Sequence, residues 1–295
     1  MQFCDARDGA EKGLNAGDKF HWNVYEDVAR QGRKLAETQP MPETNFTIKQ
    51  RELTVTEFGQ SVPYTGKLAA LGKHDVVEII DKVLKDDVRK CFDAEAFLQF
   101  DVTPLTVAPT GGNSTSSVTL ETTGCTITNN VEMRKDHVKA IVDIMKERNI
   151  PAYMGDDYFS ISHPTTYRTF KNDLESVHQY VDAGYNKIMA GEIGRYEGVR
   201  FVEQNHIPKG GAVDSTTFDP YDGVPDPWNN AKSSWAFFFG GDTCVEAIVI
   251  PEEIRAKLPG DYGRSKGIAW YAITGFGNAH PDAEHSRIVK WESKE

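Results

Sequence analysis

A short β-rich run that ends in His-Pro constrains the fold of this chain more than any other feature. Residues 158–163 read Tyr-Phe-Ser-Ile-Ser-His, and Pro164 follows immediately. Residues 164–171 have a helical pattern, and after the glycine-punctuated turns of 191–198 the segment Val199–Val202 predicts another strand. The order strand, helix, turn, strand indicates a mixed structure of helices and strands.

The composition is that of a folded chain with an acidic balance of charge. The 295 residues include 39% hydrophobic and 26% charged residues, which is typical of a globular protein and unlike a disordered one. The formal net charge is −11. Because phosphate contacts need lysine and arginine, this charge disfavours tight nucleic-acid binding, and it also disfavours docking on anionic membranes.

The four cysteines, Cys4, Cys91, Cys125 and Cys244, form no C-x-x-C or C-x-C pair. Their sparse and irregular spacing argues against a disulfide framework or a zinc site, so we expect reduced, mostly buried thiols. No apolar run approaches the roughly 20 residues that span a bilayer, and the first residues lack the pattern of a secretory signal. We therefore expect the chain to be made and folded in a cytoplasm.

Two segments have the 3.6-residue hydrophobic period of an amphipathic helix. The first covers residues 74–98. At about 1.5 Å per residue it would be about 35 Å long, which is long for a domain of this size. The second covers residues 131–148 and is predicted to stop at Asn149 and Pro151.

Alternating apolar and polar residues predict strands on both sides of these helices. Residues 18–25 and 53–58 alternate in this way, and the charged segment between them makes the pair an extended hairpin. Residues 1–17 are polar and predict an arm with no core of its own. Residues 208–233, rich in proline, glycine and aspartate, predict a long loop. Further strands are predicted at 235–239, 245–250, 268–273 and 287–291.

The chain lacks the motifs of phosphate-binding loops, zinc proteases and serine hydrolases. His280–His285 places two imidazoles and two carboxylates within six residues, which could be a metal site or a polar surface turn. We favour the turn, because no second ligand cluster has a recognisable spacing. His163 is interpreted as a capping or packing residue, since no nucleophile can be paired with it. The adjacent carboxylates of Asp86-Asp87 and Asp156-Asp157 point apart on a helix or strand, which disfavours acid–base catalysis.

Basic residues concentrate in the predicted hairpin, where they are mixed with acidic ones. Two interpretations stay open for them, a complementary contact with a neighbouring subunit and a solvated loop. These basic residues are Arg30, Arg33, Lys34, Lys49 and Arg51.

Three further motifs follow one another along the chain: Leu53–Glu57, Tyr158–Pro164 with Gly191–Glu203, and Gly267–Ala272. Together and in this order they resemble the HK97-like major capsid proteins of tailed double-stranded DNA bacteriophages, and they are most similar to podovirus-type coat proteins. The first motif resembles the returning strand of the family's extended hairpin. The second resembles the strand and glycine turn of the axial domain, and the third resembles the closing Gly-x-x-x-Trp/Phe segment.

The resemblance implies an α+β chain with the HK97-like capsid fold. Residues 1–17 would be an N-terminal arm and 18–65 the extended E-loop hairpin. Residues 66–133 would form the peripheral domain with its long spine helix. Residues 134–244 would form the axial domain, which includes the long loop, and 245–295 would be closing strands that return to the peripheral domain.

The same resemblance implies a structural protein that assembles into the pentamers and hexamers of an icosahedral phage head. It implies contacts with scaffolding, portal and decoration or cement proteins, and non-specific enclosure of double-stranded DNA, with no membrane partner. The protein would be assembled in the host cytoplasm and reside in the virion capsid, with no catalytic, cofactor-binding or metal residues. Two alternatives stay open: an encapsulin-type shell protein, and a soluble metal-dependent enzyme that uses His280–His285.

Overall fold

A computed structural model describes residues 3–8, 19–25, 48–110, 118–121, 131–178, 194–204 and 234–293, with several positions between 32 and 45. The predicted loop at 208–233 lies outside the described residues, and so does most of the predicted hairpin between its two strands. The helices are α1 Gly66–Leu71, α2 Val76–Asp101, α3 Lys135–Glu147 and α4 Arg168–His178. The strands are β1 Cys4–Asp8, β2 Lys19–Tyr25, β3 Ile48–Thr54, β4 Thr56–Thr65, β5 Thr106–Pro109, β6 Val118–Glu121, β7 Tyr158–Ser162, β8 Arg195–Tyr196, β9 Val199–Glu203, β10 Ser234–Phe239, β11 Cys244–Ala256, β12 Ser265–Asn278 and β13 Ile288–Ser293.

The long helix α2 confirms the prediction made from its hydrophobic period. The side chain of Asp75 caps its first turn by accepting a hydrogen bond from the Val77 amide at 2.9 Å. Its exposed face carries the i,i+4 ion pair Lys82–Glu78. None of the described helices is both long enough and apolar enough to cross a lipid bilayer.

A seven-stranded sheet in the order β6-β5-β13-β10-β7-β9-β8 is buried on both faces. Because side chains alternate along a strand, β10 sends Ala236 and Phe238 into the core formed with α3 and α4. The same strand sends Phe237 and Phe239 to the opposite face, where they pack against α2. The order strand–helix–strand from β7 through α4 to β9 is that predicted from the His-Pro segment, and β7 and β9 are parallel neighbours.

A four-stranded sheet in the order β1-β11-β12-β4 packs on the other side of α2. Strands β11 and β12 form an antiparallel pair with register shifts between Ile248 and Glu253. Strand β1 lies parallel to β11 at the edge of the sheet. The residues predicted as an arm without a core therefore contribute an edge strand.

The third sheet is the hairpin β2–β3, in which Phe20 is paired with Leu53. The buried faces of both strands pack against Val245, Ala247 and Ala279, which anchors the hairpin to the start of β11 and the end of β12. The predicted strand at 53–58 needs correction, because the chain leaves β3 at Thr54 and enters the four-stranded sheet as β4.

The closing segment 245–295 is divided between the two large sheets. Strands β11 and β12 lie in the four-stranded sheet, whereas β13 lies between β10 and β5 in the seven-stranded sheet. The expectation that all of these strands return to one domain is therefore wrong for β13. Sequence order could not reveal this, because β13 is parallel to β5, a strand almost two hundred residues earlier in the chain.

Candidate interaction surfaces

Helix α2 is clamped between the two large sheets by aromatic contacts. The ring of Phe92 packs at 5.9 Å from both Phe58 and Trp270 in the four-stranded sheet. The indole N–H of Trp270 donates a hydrogen bond to the Asp87 carboxylate at 2.8 Å. The predicted Asp86-Asp87 pair therefore points apart as expected, with Asp87 serving as a packing partner of Trp270.

Residues 59–71 and 251–267 form the part of the four-stranded sheet that lies farthest from the seven-stranded sheet, and we call them the projecting end. The first residues of β11 are buried, but every residue from Pro251 to Ala256 is exposed. Large apolar side chains are exposed across this region: Leu68, Leu71, Ile254, Leu258 and Tyr262. Apolar patches of this kind mark interaction sites in soluble proteins.

The turn between β11 and β12 holds two exposed side chains in an unusual backbone conformation. Leu258 is 88% exposed and the Tyr262 side chain is fully exposed. Asp261 and Tyr262 have φ angles of 50° and 51°, in the left-handed region that non-glycine residues enter at a cost of about 1 kcal/mol or more. The turn therefore presents an aromatic side chain on a strained backbone, a combination that points to a role in binding.

A second surface lies where the β2–β3 hairpin meets the turn after β12. Arg51 forms an ion pair with Asp282, and Lys49 contacts the same carboxylate at 3.2 Å. The hydrogen bond from Arg51 holds the pKa of Asp282 below its usual range, and Lys49 adds to the effect. Two of the basic residues predicted to contact a neighbouring subunit are thus paired within the chain.

The structure separates the groups of the His280–His285 cluster. His280 is buried, its backbone N–H donates to the Asn278 side chain at 2.9 Å, and burial lowers its pKa to about 4, with Arg287 contributing. Asp282 points instead to the hairpin. Within the described residues, no three His, Cys, Asp or Glu side chains are grouped as a metal site requires. The cluster is a turn, as the sequence favoured.

His163 and Asp157 stabilise the ends of β7. The His163 ring nitrogen Nδ1 lies 2.7 Å from the Thr165 hydroxyl and accepts the Thr165 amide, which closes the turn into α4. Asp157 is buried and bridges Arg195 at 2.6 Å and Arg200 at 2.8 Å, on β8 and β9. These contacts hold the strands together, and they agree with the interpretation of His163 as a capping residue.

A small polar cavity lies near the start of β10. It measures about 120 Å³ and is lined by Glu132, Thr166, Arg168 and Trp291, among other residues. Sites for drug-sized ligands measure roughly 300–1,000 Å³. A cavity of this size has room for a few water molecules.

Comparison with known proteins identifies the fold. No protein-family model and no curated protein matches the sequence. The structure is similar to the capsid of cyanophage P-SCSP1u, with a TM-score of 0.67 over 99% of this chain and 87% of that one, at 11% identity. It is similar to the capsid of cyanophage Pam1, with a TM-score of 0.68 over 95% and 86% of the two chains, at 14% identity. The capsid of Ralstonia phage GP4 gives 0.63 over 99% and 87%, at 15% identity.

The chain therefore has the HK97-like fold of phage capsid proteins. The mixed α+β class and the capsid fold expected from the three sequence motifs are both confirmed.

Sequence reasoning overlooked the turn at the projecting end. Residues 258–263 read Leu-Pro-Gly-Asp-Tyr-Gly, and Pro-Gly and Asp are common turn residues. These residues lie between two segments that were predicted to be strands, so the turn signal was present. The exposure of the two strands next to the turn had no such signal, because Ile254 and Ile268 are typical of buried strands.

Proposed function

We propose that this chain is the major capsid protein of a tailed double-stranded DNA bacteriophage of the podovirus type. The observation that carries the proposal is the coverage of the structural similarity, which includes 95–99% of this chain and 86–87% of the two cyanophage capsid chains. A match of this extent leaves little of either chain for another domain. The sequence identities of 11–14% mean that the proposal rests on the shared fold.

The sheets suggest how the parts of a capsid subunit correspond to this chain. The β2–β3 hairpin would be the E-loop, and its tip falls among residues outside the described part of the chain. Helix α2 with the four-stranded sheet would be the peripheral domain, with α2 as the spine helix. The seven-stranded sheet with α3 and α4 would be the axial domain, at the centre of each pentamer and hexamer.

The projecting end is the surface that we propose to lie between subunits of the shell. A closed shell is made from identical subunits that repeat the same contacts around symmetry axes. Permanent interfaces commonly bury 2,000 Å² or more and are rich in apolar side chains. Leu258 and Tyr262 supply such side chains on a hairpin that packs little of its own surface, and α1 adds Leu68 and Leu71.

The proposed role is structural and non-enzymatic, with location in the virion and assembly in the host cytoplasm. The partners would be other copies of the chain, together with scaffolding, portal and decoration or cement proteins. The formal net charge of −11 supports non-specific enclosure of DNA, because an acidic surface does not form the lysine and arginine contacts that hold phosphates.

Assembly tests this proposal directly. The full chain is produced alone and together with candidate scaffolding proteins, and each preparation is studied by sedimentation and negative-stain electron microscopy. We expect closed polyhedral particles or ring-shaped pentamers and hexamers. A uniform monomer or dimer in every preparation would overturn the proposal.

A further inference from the structure

Two of the cysteines meet across neighbouring strands. Cys4 opens β1, Cys244 opens β11, and the two residues are register partners in this parallel pair. Their sulfur atoms lie 2.9 Å apart. Neighbouring strands are about 4.8 Å apart, and disulfides form between residues whose Cα atoms are about 4.4–6.8 Å apart. The backbone already holds these cysteines at a separation that a disulfide requires.

The surroundings fix both side chains. Phe3, next to Cys4, packs against Tyr153, Phe159 and Phe239 with ring centroids 5.1–5.6 Å away. Cys244 is fully buried, whereas Cys4 is only partly buried. A small reagent that approaches from solvent therefore reaches Cys4 first.

The hydrogen bond between the two thiols makes them chemically unequal. It lowers the pKa of Cys4, which favours the thiolate at the accessible sulfur. The same hydrogen bond and the burial of Cys244 raise the pKa of Cys244. The more exposed sulfur is thus also the better nucleophile, which is the arrangement that thiol–disulfide exchange needs.

We propose that Cys4 and Cys244 form an intrachain disulfide that fastens β1 to the four-stranded sheet when the protein meets a low-molecular-weight disulfide such as oxidised glutathione. The Cys4 thiolate attacks the oxidant, forms a mixed disulfide and releases one thiol. Cys244 then loses its proton and attacks the Cys4 sulfur, and the second thiol leaves. The protein loses two hydrogen atoms and two electrons, which reduce one oxidant molecule to two thiols.

The bond would matter because β1 is short and lies at an edge. Five residues of β1 pair with β11, and no other strand in the described part of the chain pairs with β1. The cysteines are 240 positions apart, and cross-links that close long loops restrict the unfolded chain most. The inference goes beyond the proposed role in a shell, since the chemistry takes place within one subunit.

Peptide mapping tests the proposal. The purified full chain is incubated with oxidised glutathione, free thiols are blocked with N-ethylmaleimide in denaturant, and the protein is digested with trypsin without reductant. We expect mass spectrometry to find peptide 1–7 joined to peptide 233–255, and dithiothreitol to separate them. Both cysteines blocked by maleimide, or glutathione retained on Cys4 beside a free Cys244, would overturn the proposal.

Two variants serve as controls. A Cys91→Ser/Cys125→Ser protein should keep the 1–7 to 233–255 link, and its loss would contradict the assignment. In the wild type, we expect oxidation to raise the Tm by about 5 °C or more, and we expect no rise in Cys4→Ser. An equal rise in Cys4→Ser would count against the proposal. Both readouts work on unassembled subunits, so they are independent of shell formation.

Discussion

The seven-stranded sheet and the projecting end of the four-stranded sheet contain similar residues but differ in what covers them. In β10, Ala236 to Phe239 are all buried, because α3 and α4 cover one face and α2 covers the other. In β11 the burial stops after Ala247 and the last six residues are exposed. The same chain thus contains one region that covers its own surface and one that leaves apolar surface uncovered.

This difference separates two roles for apolar side chains. In the seven-stranded sheet they stabilise the subunit, and their removal should reduce the free energy of unfolding. At the projecting end they contribute little to the subunit, and their removal should affect association instead. The first four predictions below concern stability, and the last one concerns association.

The largest effect is expected from Phe238→Ala, in the middle of β10. Phe238 is fully buried, and its removal leaves a cavity between the sheet and α4, where Phe201 packs at 6.4 Å. We expect a loss of about 3–5 kcal/mol in the free energy of unfolding, measured by urea denaturation. Leu258→Ala is the matched change at the projecting end and should cost less than about 0.5 kcal/mol. Similar losses for the two variants would break the comparison.

A pH-dependent effect is expected from His280, which lies in the connection from β12 to β13. Its pKa is about 4 in the folded protein because of burial and Arg287, and about 6.5 when unfolded. The unfolded chain therefore binds the proton more readily, so this contribution is present above pH 6.5 and is lost as the pH falls towards 4. The loss should reach at most about 3 kcal/mol. Stability measured from pH 7 to 4 should fall less steeply in His280→Gln, and an unchanged slope would contradict this role.

A smaller effect is expected where the hairpin meets β12. An added Cβ at Gly275 would lie 2.5 Å from the Leu53 side chain and 2.7 Å from the Thr54 carbonyl oxygen. Gly275→Ala should therefore push β3 away from β12 and cost about 1–3 kcal/mol. Gly260→Ala is the control, because no atom lies within 4 Å of its added Cβ. Thermal unfolding of the two variants should differ, and equal Tm values would show that the close packing is absent.

The smallest effect is expected from Asp282→Asn, which weakens the contact with Arg51 and Lys49. The side chain of Asp282 is 38% exposed, so the loss at pH 7 should stay below about 1 kcal/mol. The pKa of Asp282 is lowered in the folded protein, so its contribution is present above about pH 4 and disappears as the pH falls further. Wild type and variant should therefore converge below pH 3 in acid unfolding. Glu284→Gln removes an exposed charge from the same turn and should have no effect.

The local periodic signals in the sequence predicted the elements well. The stripe of apolar residues that predicted a helix over 74–98 corresponds to α2, Val76–Asp101. The alternation at 158–163 corresponds to β7, Tyr158–Ser162. Both segments pack against an extended apolar core, so the period of the structure is visible in the residues themselves.

Features that depend on distant pairing could not be predicted. Strand β1 has two charged residues in its sequence Cys-Asp-Ala-Arg-Asp, and it becomes a strand because β11 lies beside it. The contact of Arg51 with Asp282 joins residues 231 positions apart. The pairing of Cys4 with Cys244 has the same origin. Sequence spacing carries no information about such contacts, because they depend on how the sheets are arranged.

The central claim is that the projecting end holds subunits together without stabilising the subunit itself. Sedimentation velocity of a Leu258→Asp/Tyr262→Asp variant tests it, with Leu258→Met/Tyr262→Phe as the control that keeps the surface apolar. The account predicts that wild type and control form particles or capsomers, while the Asp variant stays as single subunits with an unchanged Tm. Particles formed equally well by the Asp variant would contradict it.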